Sequence, residues 1–489
     1  MKRIKFLAAI ILALFLFNNC EDDLDVTPQS LITAQSMWNN EEDAKSGIIG
    51  LLNRFRSTFN SDNTRYWFEL RSGVWDWGLI GEDAGTPGWQ TLMDNDLDAS
   101  SSPGTNWANL YTTINSANLA IKYIPQIEFR SEDTKNYLLA QAYFVRAYTY
   151  FALARIYGDV PVLLNGFESA DAEDMFPERQ PVNEVFQQIK SDVNTGLEIW
   201  SENVSFSRIK PTKAALNMLK ADVYLWTAKR LNGGNSDLSA AFDAVDNVLS
   251  NSNYELLSSY EQVFREEDNK EIIFALYLDI LENTGYYMPV YYTNADVPDE
   301  YENNPVIIGG TNRLRFSDMY ITNYLDKIPN DKRKNINYVE FTADGKTYKY
   351  CNKYIGEWTD GRRILNTDIR LYRYAEAILF KAEILNAQGS TSEAVGYLNQ
   401  ITKRATGIDN YYSTSLSKEE VDDAILDERL VEFGGEAKAW FDIIRFGKAF
   451  ERIPSLIGRE SDKQGNVLLF PVSPATITQN KNIDQTSGY

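Results

Sequence analysis

The sequence predicts a mainly α fold: a scaffold of about four tetratricopeptide-like helical hairpins, with an irregular, loop-rich half that contains short strands and would carry a ligand. Three observations predict it. First, Leu371, Ala375, Ile378, Ala382 and Leu385 recur at four- and three-residue steps, which puts one apolar stripe on a helix. Second, stop and start signals follow in close order from Ile369 to Gly447. Gly389 suits a left-handed helix end, and Ser390 with Glu393, then Ser417 with Glu420, have the spacing of capping boxes. Third, two long stretches, 60–106 and 251–366, have little helical periodicity and many Gly, Pro, Asn and aromatic residues.

The remaining elements follow in chain order. Glu41–Phe59 reads as a helix beginning near Asn40. Trp107, Leu110, Tyr111, Ile114 and Ala117 form an apolar stripe, and Ala140, Phe144, Ala147, Phe151 and Ala154 form another on a long helix that ends at Gly158. Val182–Trp200 is helical, and Pro211 is placed as a first helical residue before Leu216, Leu219, Val223 and Trp226. Leu238–Leu249 supplies the antiparallel mate after Gly233-Gly234. Glu271–Tyr277 reads as a short strand. Past Gly434-Gly435, Glu436–Phe450 resumes as a helix with Trp440, Phe441 and Ile444 inside. The hairpins therefore fall mainly in 107–250 and 369–450, within one body of residues 36–489.

The first residues address location. Lys2, Arg3 and Lys5 precede an apolar run, Phe6–Phe17, of twelve residues, too short to span a bilayer and suited to an export signal over 1–19. Cys20 follows directly, where a lipoprotein would be acylated, and residues 20–35 would form its tether. Cys20 and Cys351 are the two cysteines of the chain, so there is no disulfide framework. The net charge is −21, and loss of the three basic residues of 1–19 would make it −24. Such a surface repels nucleic acid, and nucleic-acid binding is set aside; neutral sugars and peptides are not repelled.

Chemistry is constrained by what is missing. The sequence has no histidine, which removes Ser-His-Asp and Cys-His catalysis and imidazole metal sites. No Gly-rich phosphate loop and no paired cysteines for zinc occur. Among 69 acids, Glu376, Glu383, Glu428, Glu432 and Asp442 invite a glycosidase reading, but Arg370, Arg373, Arg429 and Arg445 lie beside them, so ion pairs between stacked helices are the stronger expectation. Asp94, Asp96 and Asp98 imitate the start of a calcium loop, yet Ala99 and Thr105 stand where that loop needs Gly and Glu. No metal or cofactor is expected.

Aromatic residues carry the binding expectation. Trp67, Trp75, Trp77, Trp89 and Trp107, half of the ten tryptophans, fall between 67 and 107. Flat rings stack on the apolar faces of sugars while neighbouring polar groups bind hydroxyls. In an extended Trp75-Asp-Trp77 both indoles point the same way. Trp75, Trp77, Trp89 and Tyr66, with Tyr286, Tyr291 and Tyr292 of the second loop-rich stretch, are the candidate ligand-binding residues; anchoring of loops to helices is the competing role. Trp107, Trp226 and Trp440 lie on helical stripes and belong to the core.

Several blocks resemble the SusD/RagB family. They are Trp107 to Asn118, Tyr157-Gly-Asp-Val-Pro161, Lys210-Pro-Thr-Lys-Ala-Ala215, Arg370-Leu-Tyr-Arg-Tyr-Ala-Glu376, Lys381 to Asn386, Glu428 to Glu436, Trp440 to Gly447, and the closing Phe470-Pro471 to Tyr489. Thr486-Ser487 replaces the family's Asn-Pro, and Ser473 separates the two prolines. The resemblance implies a cell-surface lipoprotein, anchored in the outer membrane through Cys20, that captures oligosaccharide and works with a SusC-like TonB-dependent transporter. A peptide receptor of the same fold is the closest alternative. A secreted glycosidase and a purely structural adaptor are the others.

Overall fold

A computed structural model describes residues 37–78, 88–168, 175–282, 312–343, 345–359 and 362–489. The export signal, Cys20, the tether to residue 36, and Tyr286, Tyr291 and Tyr292 lie outside the described residues. No described helix is long and apolar enough to cross a membrane.

The body begins with α1 (Glu41–Phe59), whose first turn is acidic and whose N-cap Asn40 accepts from Glu42 N and Asp43 N at 2.9 and 3.0 Å. Side-chain capping and acids at the N-terminus satisfy otherwise orphaned amides. α2 (Asp62–Phe68) follows, inside the stretch read as non-helical, then β1 (Trp75–Trp77) and α3 (Trp89–Met93). Two helical hairpins come next. α4 (Ala108–Tyr123) packs on α5 (Glu132–Tyr157), which is buried along most of its last twenty residues and ends at Gly158, where φ is 74°. α6 (Val182–Glu198) bridges to α7 (Lys213–Arg230), which pairs with α8 (Gly234–Leu249). Pro211 precedes this hairpin rather than opening its helix. Thr212 is the cap, accepting from Ala215 N at 3.2 Å.

The interruption holds paired strands. β2 (Ile272–Leu276) is buried throughout, β3 (Leu314–Phe316) pairs with β1, and β4 (Tyr338–Ala343) pairs with β5 (Lys346–Cys351). β6 (Glu357–Thr359) and β7 (Arg362–Ile364) close a small hairpin. β8 (Ile369–Arg373) then returns antiparallel to β2. This corrects the expected helix start: the apolar stripe runs on as predicted from Ala375, but Ile369–Arg373 is drawn into pairing with an apolar strand far earlier in the chain (Leu276 opposite Ile369 is separated by 93 positions, Ile272 opposite Arg373 by 101). Local periodicity carries no record of such a partner.

α9 (Tyr374–Ala387) and α10 (Thr391–Thr406) form the third hairpin, and α11 (Lys418–Glu432) with α12 (Ala439–Arg445) the fourth. Ser417 and Glu420 make a complete capping box; Ser390 makes no side-chain cap bond, so the box expected at Ser390 and Glu393 does not form. Glu436–Phe450 is broken rather than continuous: α12 ends at Arg445, and Gly447 takes φ 73° before the chain turns again. Near the end, Ser473 caps α13 (Pro474–Gln479), which gives the residue between the two prolines a structural reason. The C-terminal segment is stitched to the first half by Phe470 N donating to Ile156 O at 2.8 Å and by Arg71 stacked between Trp440 and Phe470.

Candidate functional site: an aromatic face beside the first strand pair

β1 and β3 pair with Trp75 opposite Phe316, Asp76 opposite Arg315 and Trp77 opposite Leu314. Alternation along a strand sends neighbouring side chains to opposite faces. Asp76 meets Arg315 at 3.2 Å, and Arg315 is held again by Asp318 at 2.8 Å. Trp75 is 3% exposed, stacked on Phe316 at 4.5 Å. Its indole N–H donates to Glu69 Oε2 at 2.7 Å, while Glu69 Oε1 accepts from Ala437 N. Trp75 is thus a core residue that, through Glu69, ties β1 to the turn between α11 and α12, not a face offered to ligand. Burial lifts the Glu69 carboxyl to about 7, against the pull of these two donors.

Trp77 differs. It is half-buried, and its ring lies nearly parallel to that of Trp89, 6.1 Å apart with 9° between planes. Its N–H donates to Gln90 Oε1 at 2.6 Å, and Gln90 Nε2 donates to Asp94 Oδ1 at 2.9 Å. Trp89 opens α3, is 5% exposed, meets half-buried Tyr66 edge-on, and donates to its hydroxyl at 3.3 Å. The Arg65 guanidinium covers Trp89 at 4.7 Å from the ring centre and pairs with Asp62. Burial raises the Tyr66 hydroxyl above its usual value, so it stays protonated at neutral pH. The result is a terrace of three rings in which half-buried Tyr66 and Trp77 are the accessible members, while Trp89, nearly as buried as Trp75 and covered by Arg65, is their backing rather than the ligand-facing ring expected from the sequence. Each indole N–H is fixed by a partner, so the rings keep their orientation before any ligand arrives.

The tempting carboxylates are elsewhere and buried. Glu376 pairs with Arg429 at 2.8 Å and Lys438 at 2.9 Å; Glu383 with Arg445 and Lys229, both at 2.9 Å. Glu428 meets Arg333 at 2.7 Å, and Glu432 meets Arg373 at 2.7 Å, Arg333 at 3.2 Å and Arg404 at 2.5 Å. Asp442 lies 2.9 Å from both Arg429 and Arg445. Burial alone would raise Glu383, but Arg445 and Lys229 outweigh it and hold the carboxyl at about 2. Each is a structural ion pair, as expected. Asp98 turns its carboxylate onto Ser100 N and Ser101 N at 2.9 and 3.1 Å, and among the described residues no group of three metal-ligating side chains is gathered.

Two family models match the chain, one described as starch-binding, associating with outer membrane, over residues 84–225, and one described as SusD family over 308–489. The SusD-like protein P38 of Formosa agariphila is 26% identical over all of this chain and 99% of its own length. NanU of Bacteroides fragilis has a similar structure, with a TM-score of 0.79 and 28% identity over 95% of this chain and all of that one. A SusD superfamily protein of Bacteroides vulgatus gives 0.79 and 26% over 92% and 100%.

The chain belongs to the SusD/RagB family.

In these terms the family blocks of the last third are the ion-paired hairpins themselves. Arg373, Glu376, Lys381 and Glu383 stand on β8 and α9, Glu428 to Glu436 on α11 and its turn, and Asp442 with Arg445 on α12. The ring terrace lies outside those blocks. The density of aromatics marked Tyr66, Trp75, Trp77 and Trp89 together; the structure buries Trp75 against Phe316 and Glu69 and Trp89 beneath Arg65, which local sequence does not record. Sequence reasoning also missed Gln90 and Arg315, whose roles arise only when α3 and β3 are brought to β1.

Proposed function

We propose that this SusD/RagB protein binds oligosaccharide at the Tyr66–Trp89–Trp77 terrace, as a cell-surface lipoprotein that passes the sugar uncleaved to a TonB-dependent outer-membrane transporter. The observation that carries the reading is the near-parallel Trp77–Trp89 pair, with Trp77 half-exposed and its N–H already fixed. A preset ring face suits the apolar side of a sugar, and Gln90 supplies a hydrogen-bonding edge beside Trp77. Support also comes from the family description as starch-binding and associating with outer membrane, and from a 129-residue match at 29% identity to the starch-binding protein SusD of Bacteroides thetaiotaomicron, covering 25% of this chain and 22% of that protein. The anchor would be Cys20 after removal of 1–19, with 20–35 as the tether. Tyr286, Tyr291 and Tyr292 join the proposal on sequence grounds alone. The non-catalytic part rests on the candidate carboxylates being buried in ion pairs.

Calorimetry of the signal-free chain against soluble glycans tests this. Saturable binding to a glycan recovered intact, weakened in Trp77→Ala, is the expected result. Binding of peptides but no glycan would replace the sugar with a peptide, and a cleaved glycan would overturn the non-catalytic reading.

A further inference from the structure

The first two helical hairpins meet the last two around a small cavity of about 20 Å³. Its walls include Tyr148 and Arg155 from α5, Asp222 from α7, Glu376 from α9, Arg429 from α11 and Asp442 from α12. None of these six is more than 8% exposed, so bulk solvent does not serve them. Most of their charge is settled within the protein. Glu376 gives one oxygen to Arg429 at 2.8 Å and the other to Lys438 at 2.9 Å. Asp442 lies between Arg429 and Arg445, 2.9 Å from each.

Arg155, Asp222 and Tyr148 are left over. Asp222 Oδ2 accepts from the Tyr372 hydroxyl at 3.3 Å, but Oδ1 has no hydrogen-bond partner among the described residues, and Arg445 Nη1 stops 4.0 Å away. Arg155 donates from Nε to Phe151 O at 3.2 Å, and its guanidinium lies over the Phe151 and Phe441 rings at 3.6 and 4.4 Å. The rings and that one bond hold it back from Asp222. Among the described residues Arg155 forms no ion pair, and neither its two terminal nitrogens nor the Tyr148 hydroxyl makes a hydrogen bond.

Buried polar groups without a partner are costly, and these three line one cavity. Their chemistry selects what fits between them. An anion would gain from Arg155 and be repelled by Asp222, and a cation would meet the reverse. A neutral molecule that accepts from the guanidinium and donates to the carboxylate satisfies both at once, and the Tyr148 hydroxyl can complete its shell in either sense. Size narrows the choice further. A single water needs about 10–15 Å³, which the cavity provides.

We propose that this cavity is a binding site for one ordered water, which accepts from Arg155, donates to Asp222 Oδ1 and takes the Tyr148 hydroxyl as its third partner. The water turns a separated cation and anion into a bridged pair between α5 and α7. That pair lies directly against α12, whose Phe441 stacks on Arg155 and whose Arg445 approaches Asp222. The site is thus a joint between the two halves of the helical scaffold, and it is independent of any ligand at the ring terrace.

Two measurements on the signal-free chain test the site. Tyr148→Phe keeps the ring against Phe55 and Phe59 and removes only the hydroxyl. A hydroxyl bonded to water stabilises the fold, so its loss should lower the urea midpoint. A hydroxyl facing a dry cavity is an unpaired polar group, and its loss would raise the midpoint. A lowered midpoint is expected; an unchanged or raised one overturns the proposal. Crystals grown with sodium bromide locate the occupant directly. One density peak without bromine anomalous signal is expected, within about 2.7–3.2 Å of Asp222, Arg155 and Tyr148. An anomalous peak there would make it an anion site, and no peak, or a direct Arg155–Asp222 contact, would leave no water site; each of these overturns the proposal.

Discussion

The last two helical hairpins and the ring terrace both bury large side chains, but they leave different things available. From Arg373 to Arg445 every tempting carboxylate faces a guanidinium or ammonium group inside the protein; Glu432 alone meets three arginines. At the terrace the polar atoms are likewise tied, Trp77 to Gln90 and Trp89 to Tyr66, yet a π face remains half-exposed. A buried carboxylate held by cations is a weakened base, whereas an indole with its N–H occupied keeps its stacking surface. The charges of one region are thus spent on holding helices together, while the other keeps an accessible ring.

The largest effects should separate the regions by stability. Arg373→Ala strands Glu432, Glu436 and Glu271 without one of their cations, a loss of about 3–5 kcal/mol. Trp75→Ala removes a buried ring from between Phe316 and the Glu69 bond, also about 3–5 kcal/mol. Trp77→Ala, from a half-buried site, should cost less than either. Urea denaturation orders them, and the contrast breaks if Trp77→Ala proves as destabilising as Trp75→Ala.

Proton linkage gives the two regions opposite slopes. Glu383 is held at about 2, below its ordinary 4.5. Its stabilisation is complete above pH 4.5 and lost as pH falls toward 2. Glu69 is raised to about 7 from 4.5, so folding favours its protonated form, and stability drops as pH climbs between those values. Each interval of roughly 2.5 pH units at about 1.4 kcal/mol per unit amounts to about 3.5 kcal/mol. Stability measured against pH should fall on both sides of pH 4.5. Glu69→Gln should flatten the limb between 4.5 and 7 and leave the acid limb unchanged; an unaltered neutral limb would remove Glu69 as its source.

The smaller effect at Trp77 is on binding. Its truncation should raise the Kd of a bound glycan roughly tenfold, about 1.4 kcal/mol, whereas Gln90→Ala, which frees the indole N–H without removing the ring, should weaken binding by less. Equal losses would mean that orientation by Gln90, rather than ring area, dominates.

What was legible in the sequence follows the same division. The hairpins were readable because each signal is local: Asn40 before Glu42 and Asp43, or Ala375, Ile378, Ala382 and Leu385 three and four apart on α9. The ion pairs were readable in kind, from arginines and acids sharing helix faces, though not in partner. The strand Ile369–Arg373 was not, since its mate Ile272–Leu276 lies far away in the chain and strand pairing overrode a helical stripe. At the terrace, composition marked the region, but the distinction between Trp75 and Trp77 lies in Phe316, Leu314 and Gln90, contributed by other elements.

The two serine caps show the limit of local reading at its smallest scale. Ser390 with Glu393 and Ser417 with Glu420 have the same spacing, and a sequence rule treats them alike. Ser417 is extended, at φ −67° and ψ 165°, so its side chain reaches Glu420 N at 3.2 Å while Glu420 returns to Ser417 N at 2.8 Å. Ser390 sits at ψ 50° directly after Gly389 in a two-helix turn, and its side chain makes no cap bond. The tight turn between α9 and α10 sets that backbone, and Ser390 N is instead held by Leu385 O at 2.8 Å. Ser417→Ala should therefore cost about 1 kcal/mol and Ser390→Ala almost nothing, measured side by side by urea denaturation. Equal costs would mean that the Ser390 hydroxyl caps α10 in solution and that spacing alone decides the matter.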